Sequence, residues 1–187
     1  MFNLTSPYQE PGFDEWREQL EALPPSKPTV RNAEPTAQDG RWMRWVQAAC
    51  ESTNIQNVDY NVSKIEQQIV LMAEIAGHPV GFCIALAGAT DADPLFIQLV
   101  AVVPFARRRG AGIALLSAAA QREPLRSIAM ATLNDNDAAN GLNECFAKSM
   151  GASIRRVPVR RYRRADLGFA PGELHRPWIV ERPRSVG

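Results

Sequence analysis

The chain has 187 residues, 45% of them hydrophobic and 22% charged, with a formal net charge of +1, enough for one domain with a full core. No apolar run approaches the roughly 20 residues of a membrane helix, and the start MFNLTSPYQE lacks the basic end and apolar stretch of a leader, so a cytoplasmic protein is expected. Cys50, Cys83 and Cys145 are widely spaced, with only His78 and His175 to help them, so neither a metal site nor a disulfide framework is expected.

Charge is uneven along the chain. Residues 1–100 carry 6 Lys or Arg against 13 Asp or Glu, and residues 101–187 carry 15 against 7. Either the two halves neutralise each other in one fold, or the basic half meets an anionic partner such as a nucleotide or RNA.

Residues 1–28 read as an N-terminal extension. Pro7, Pro11, Pro24, Pro25 and Pro28 bracket a segment in which Phe13, Trp16, Leu20 and Leu23 recur at helical spacing, and a short helix with one apolar stripe is expected. That stripe packs on the body of the protein or on a second copy, which opens the reading of a homodimer.

The main domain is expected to span residues 29–187. Thr29 to Ala33 suits a first strand, and Trp42, Trp45, Val46 and Ala49 suit a helix with a buried aromatic face. Glu51 to Ser63 is polar and without a clear period, and reads as a mobile substrate loop. Ile69 to Ile75 and Val80 to Ala87 read as strands joined by Ala76-Gly77-His78-Pro79, which places His78 on a turn tip. Asp91, Asp93 and Pro94 turn the chain into a third strand, completing an antiparallel meander.

That third strand opens the most informative stretch. From Leu95 to Val103 every residue but Gln98 is hydrophobic, and Pro104 ends the run because it cannot donate to a ladder. Arg107, Arg108, Arg109, Gly110, Ala111 and Gly112 follow, and then a second apolar run suits a helix from about Gly112 to Gln121. Glycines at this junction let the backbone approach a ligand, and the first helical turn presents free N–H groups at the positive end of the helix dipole. A strand, an anion-sized loop and a helix N-terminus make a phosphate site.

The spacing Arg107-x-x-Gly110-x-Gly112 after Val100-x-Val102-x-Pro104 resembles the acetyl-CoA loop of the GNAT N-acetyltransferase superfamily. The resemblance implies that Val100, Ala101 and Val102 run beside the pantetheine arm of acetyl-CoA. It also implies that Arg107 and the amides of Arg108, Arg109, Gly110, Ala111, Gly112 and Ile113 hold the pyrophosphate.

Ser127 to Leu133 is the next strand, and Asn134-Asp135-Asn136-Asp137 suits a strand exit and a helix cap. This region also resembles the family pattern N-x-x-A-x-x-L-Y-x-x-x-G-F. Aligned on Gly151, it places Asn140 as a pantetheine contact and Ala147 where the pattern has tyrosine, although Asn136-x-x-Ala139 fits its first half as well. In the family that phenol commonly protonates the departing thiolate, which Ala147 cannot do. The tail, strand-like at both ends, reads as a final hairpin across the sheet, and its run from Arg155 to Arg164 around Tyr162 is either a solvated face paired to acids or an RNA contact.

By these readings the fold is a single α/β GNAT-like domain, a mixed, mostly antiparallel sheet of about six or seven strands flanked by helices, with an N-terminal helical extension. The implied activity is transfer of an acetyl group from acetyl-CoA to an amine acceptor, a small molecule, peptide or aminoacyl-RNA. The alternative is a CoA-binding module without chemistry whose basic hairpin docks nucleic acid or a protein. Amine attack on a thioester needs a base and an acid. Asp135 at the strand exit and Tyr162 in the tail are the candidates carried forward, with Glu74, Gln98 as a water holder, and Cys145 behind them. The carbonyl is expected to be held by a backbone amide near Val102, and the acceptor pocket to be built from residues 41–63 and 162–178.

Overall fold

The computed structural model describes residues 6–50, 54–133, 135–168 and 175–183. In chain order the helices are α1 (Phe13–Glu21), α2 (Ala37–Ala49), α3 (Val58–Gln67), α4 (Ala111–Arg122) and α5 (Asp137–Ser149). The strands are β1 (Thr29–Asn32), β2 (Ile69–Ile75), β3 (His78–Ala87), β4 (Leu95–Val102), β5 (Ile128–Leu133), β6 (Ser153–Arg156) and β7 (His175–Glu181). They form one seven-stranded sheet in the order β1-β2-β3-β4-β5-β7-β6. All neighbours are antiparallel except β4 and β5. The terminal hairpin is present, but its second strand lies inside the sheet, between β5 and β6.

β3 is buried at successive residues from Pro79 to Ala85 rather than at alternate ones, which requires cover on both faces. α4 packs against β2, β3 and β4, while α2 packs against β3 and β4.

Two features of β4 position the site. Leu99 opposes Ile84 and Ile97 opposes Ala85, so Gln98 is one residue too many against β3, a β-bulge. On the other side, β4 pairs with β5 only from Leu95 to Ile97, although both strands continue. A bulge increases local twist, and here the strands diverge from the bulge onward and leave a wedge-shaped notch.

The N-terminal helix belongs to the core. Phe13, Trp16 and Leu20 are each 2% exposed, the Trp16 indole donates to the Pro79 carbonyl at 3.0 Å, and Phe13, Trp16, Trp42 and Trp45 form one set of edge-on and tilted ring contacts. The Glu10 carboxylate accepts from Arg44 Nε and Trp45 Nε1, both at 2.6 Å. The apolar stripe of α1 is therefore covered within the chain.

Two local expectations are corrected. Ala76 and Gly77 both have positive φ, 52° and 79°, the signature of a two-residue type I′ turn, so His78 is the first residue of β3, opposite Ile75. The polar stretch before Ser63 contains the start of α3, capped by Asn57, whose side chain accepts from the Tyr60 amide at 2.7 Å. Its apolar period is hidden by Asn61, which is fully buried. The amide of Asn61 replaces a hydrophobic contact by donating to the Gly40 carbonyl at 3.0 Å and accepting from Gln47 at 3.2 Å.

Candidate functional site

The loop after β4 passes through a 3-10 turn (Pro104–Ala106) and enters α4 at Gly110, which has φ +87° and open space where a Cβ would stand. Glycine is required there by backbone conformation. Gly112 has a different task, because a Cβ on it would lie 3.0 Å from Leu142 Cδ1; its missing side chain lets α4 and α5 pack closely. Sequence spacing groups the two glycines as ligand-approach positions, and the structure separates them.

No side chain caps α4, and no acid stands in its first turn. The Arg107 amide donates to Pro104 and the Ala114 amide to Gly110, while the six amides from Arg108 to Ile113 make no described backbone hydrogen bond. They lie at the positive end of a 12-residue helix dipole. The arginine side chains hold the loop in place. Arg107 Nε donates to the Val102 carbonyl at 3.4 Å, and the Arg109 guanidinium donates to the carbonyls of Leu23 and Pro24. Arg108, with φ +61°, is exposed.

The notch runs up to this loop. Val103 donates to Val80 on β3, so strand alternation turns the amide and carbonyl of Ala101 toward β3 and those of Val100 and Val102 into the notch. Cys50, the residue that ends α2, is buried beside this part of β4 and the Arg107 guanidinium. Burial pushes that thiol's pKa up, against the pull of Arg107 and of the Val102 amide. The amide expected near Val102 to hold a carbonyl faces the notch, and Val100 presents the next amide on the same side.

A cleft of about 380 Å³ begins at Gln98. Ile84, Leu99 and Ala131 form its apolar floor, Gln47, Asn54, Gln56, Tyr60 and Lys64 one wall, and Ala165, Leu167, Gly168 and His175 the other. The two regions expected to build the acceptor pocket, 41–63 and 162–178, both contribute. Gln98 donates to the carbonyls of Ala165 and Asp166 at 3.2 and 3.1 Å and so ties the bulge to the second wall.

The two residues carried forward as acid and base lie elsewhere. Asp135 is exposed in the turn between β5 and α5 and lines neither this cleft nor its neighbour. Tyr162 lines a separate cleft with Phe96, Asp93 and Arg163. Its ring stands edge-on to Phe96 at 5.3 Å, and its hydroxyl accepts from Arg161 Nε at 3.1 Å. Glu74 accepts from Arg31 at 2.7 Å, and Cys145 is exposed on α5. His175 and Lys64, which no motif marks, also line the cleft. The scarcity of histidine in the chain was the one available signal for the first, and an undetected helix hid the second.

Asn140 lies near the start of α5, where its Oδ1 accepts from the Thr132 hydroxyl at 2.7 Å and from Arg156 Nη2 at 2.9 Å. Arg156 also stacks on Trp178, 3.8 Å from the ring centre, and donates to the Arg176 carbonyl at 2.7 Å. Burial, with Arg176 nearby, lowers the pKa of Arg156. Further along α5, Ala147 is buried, and Asn143 is buried with its Nδ2 making no hydrogen bond. The basic run does not form one free patch. Arg155 pairs with Glu181 at 2.9 Å, Arg163 pairs with Asp166 at 2.8 Å, and Arg156 is engaged as described.

The sheet splits beside an uncapped helix N-terminus, and a polar cleft lies at the base of the split. The acetyltransferase (GNAT) family model matches residues 35–151, and the chain belongs to that family. Diaminobutyrate acetyltransferase EctA from Paenibacillus lautus, solved with L-2,4-diaminobutyric acid and coenzyme A, superposes with a TM-score of 0.65 at 18% identity, covering 84% of this chain and 96% of its own. A GNAT-family acetyltransferase from Bacillus cereus gives a TM-score of 0.62 at 18% identity, covering 85% of this chain and 100% of its own. The ribosomal-protein-S18-alanine N-acetyltransferase from Escherichia coli gives 0.57 at 20% identity, covering 86% of this chain and 96% of its own. No curated protein matches the chain by sequence. Among the described residues no helix is long and apolar enough to cross a membrane, and no cluster of metal-ligating side chains occurs.

Proposed function

We propose that the protein transfers the acetyl group of acetyl-CoA to a primary amine held in the cleft at Gln98. The observation that carries this reading is the run of six free amides from Arg108 to Ile113 at the mouth of a notch whose base opens on that cleft. These amides bind the pyrophosphate, helped by the α4 dipole. Val100 offers its amide and carbonyl to the pantetheine arm as a missing strand would, and Asn140 is a second contact to it. The thioester carbonyl accepts from the Val100 amide, which stabilises the negative charge that develops on its oxygen.

The amine nitrogen forms a bond to the carbonyl carbon, the C–S bond breaks, and the thiolate leaves with a proton taken up from solvent. His175, the histidine among the described cleft residues, accepts the amine's proton directly or through a water held by Gln98. Asp135 and Tyr162 have no part in this proton transfer. With Ala147 buried where the family pattern has a phenol, rate comes from positioning and from the oxyanion contact rather than from a side-chain acid.

Calorimetric titration of acetyl-CoA and thiol release across an amine panel test the reading together. Wild-type protein is expected to bind acetyl-CoA and to release thiol with at least one amine. Gly110→Val, which forces a branched side chain into a left-handed conformation, is expected to lose binding while remaining folded by circular dichroism. Unchanged affinity in folded Gly110→Val protein would sink the proposal.

A further inference from the structure

We infer that the acceptor amine carries a carboxylate, and that Lys64 holds that carboxylate on the α3 wall of the cleft. This rests on the assignment of the cleft as the acceptor site.

The described lining of the cleft carries no negative charge. Its polar side chains are mainly uncharged amides, Gln47, Asn54, Gln56 and Gln98, and among the described residues no carboxylate lines it. Four of the described acids are engaged elsewhere. Asp166 accepts from Arg163 Nε and Nη2 at 2.9 and 2.8 Å, Glu10 faces Arg44, and Asp39 and Glu74 both face Arg31. A purely cationic acceptor, such as a diamine, would meet no carboxylate among the described lining residues.

Lys64 is the opposite case. Its ammonium has no carboxylate partner among the described residues, and its described neighbour is the Tyr60 ring, 5.4 Å from Nζ. It lines the same cleft as Gln98 but from the last turn of α3, whereas Gln98 stands at the bulge beside the notch. The cleft therefore takes the reacting carbon at Gln98 and has a half-buried cation on its α3 wall. An ammonium in a helix's last turn also complements the helix dipole, a role that accounts for some stability but not for its place on the cleft wall.

The size and sign of the site favour a carboxylate over a phosphate. One ammonium with the side-chain amides of Asn54 and Gln56 beside it matches a monoanion, while a phosphoryl group is usually met by arginine forks or an open helix N-terminus. α3 presents its C-terminal turn here, and its N-terminus is capped by Asn57. A volume of about 380 Å³ accommodates a molecule of amino-acid to dipeptide size.

The test uses matched amines that differ only in the carboxylate: L-lysine against cadaverine, 2,4-diaminobutyrate against 1,3-diaminopropane, and phenylalanine against phenethylamine. Thiol release is followed for wild type, Lys64→Met and Lys64→Arg, and binding to CoA-saturated protein is followed by calorimetry. The carboxylated member is expected to be favoured by about tenfold or more in kcat/KM, the scale of one charge-assisted hydrogen bond. Lys64→Met should shrink that preference to within about twofold through KM, with kcat held, and Lys64→Arg should restore most of it. A pair turned over with the decarboxylated member preferred, or a preference untouched by Lys64→Met, overturns the inference. Failure of every amine to release thiol despite acetyl-CoA binding would count against the catalytic reading alone. In that event the calorimetric arm still decides, because carboxylated amines that bind no better than their decarboxylated partners, or not at all, overturn the assignment of Lys64.

Discussion

The donor side of the site and the acceptor side are built from different materials. From Val100 to Ile113 the functional groups are backbone amides and carbonyls, fixed by a strand, a left-handed glycine and a helix start that follow one another within 14 residues. The acceptor cleft of the proposed reaction is made of residues from α2, α3, β3, β4, β5 and β7, together with Asn54 and Gln56 before α3 and the segment 165–168. Backbone geometry is dictated locally and tolerates many side chains. A wall assembled from eight segments changes with each of them, so one donor site can serve many acceptors.

That contrast can be broken by substitution. The largest effect is expected at Gly110: valine there removes acetyl-CoA binding, whereas Gln56→Ala, on the acceptor wall, leaves acetyl-CoA affinity within about twofold by calorimetry. His175→Gln comes next. It should lower kcat by about 100-fold, the usual range for loss of a general base, with the KM for acetyl-CoA unchanged. A smaller effect is expected at Asn140. Alanine there should raise the KM for acetyl-CoA by about tenfold and lower stability by about 1–3 kcal/mol in urea unfolding, because Thr132 and Arg156 lose the oxygen they share. Smallest are Asp135→Asn and Tyr162→Phe, each expected to alter kcat/KM by less than about twofold. A large loss from either would move the proton transfer out of the Gln98 cleft and erase the distinction between the two clefts.

The asymmetry also explains what could be read in advance. The strand ending at Pro104, the loop and the helix after it are found where the pattern of apolar residues, arginines and glycines puts them, because proline, glycine and apolar runs act on their own neighbourhood. The meander and the number of strands follow for the same reason. α3 was hidden because Asn61 and Gln47 satisfy each other inside the core, where a sequence pattern expects hydrophobic residues. His78 was displaced by Ala76, a non-glycine residue with positive φ, for which its type gives no warning. The basic run looked continuous because pairing partners such as Glu181 and Asn140 stand far from it in sequence or on another element.

The sequence by itself determined that this is an α/β chain with an anion-binding strand–loop–helix unit, and it brought the family into view through that unit. Only the tertiary structure decided that β4 leaves β5 at Gln98, that Gly112 packs α5 while Gly110 shapes the loop, and that His175 and Lys64 share a cleft from which Asp135 and Tyr162 are absent. The reason is range. Backbone conformation is set by steric rules acting over a few residues, whereas strand register, splay and the meeting of side chains from distant elements are set by packing of the whole chain.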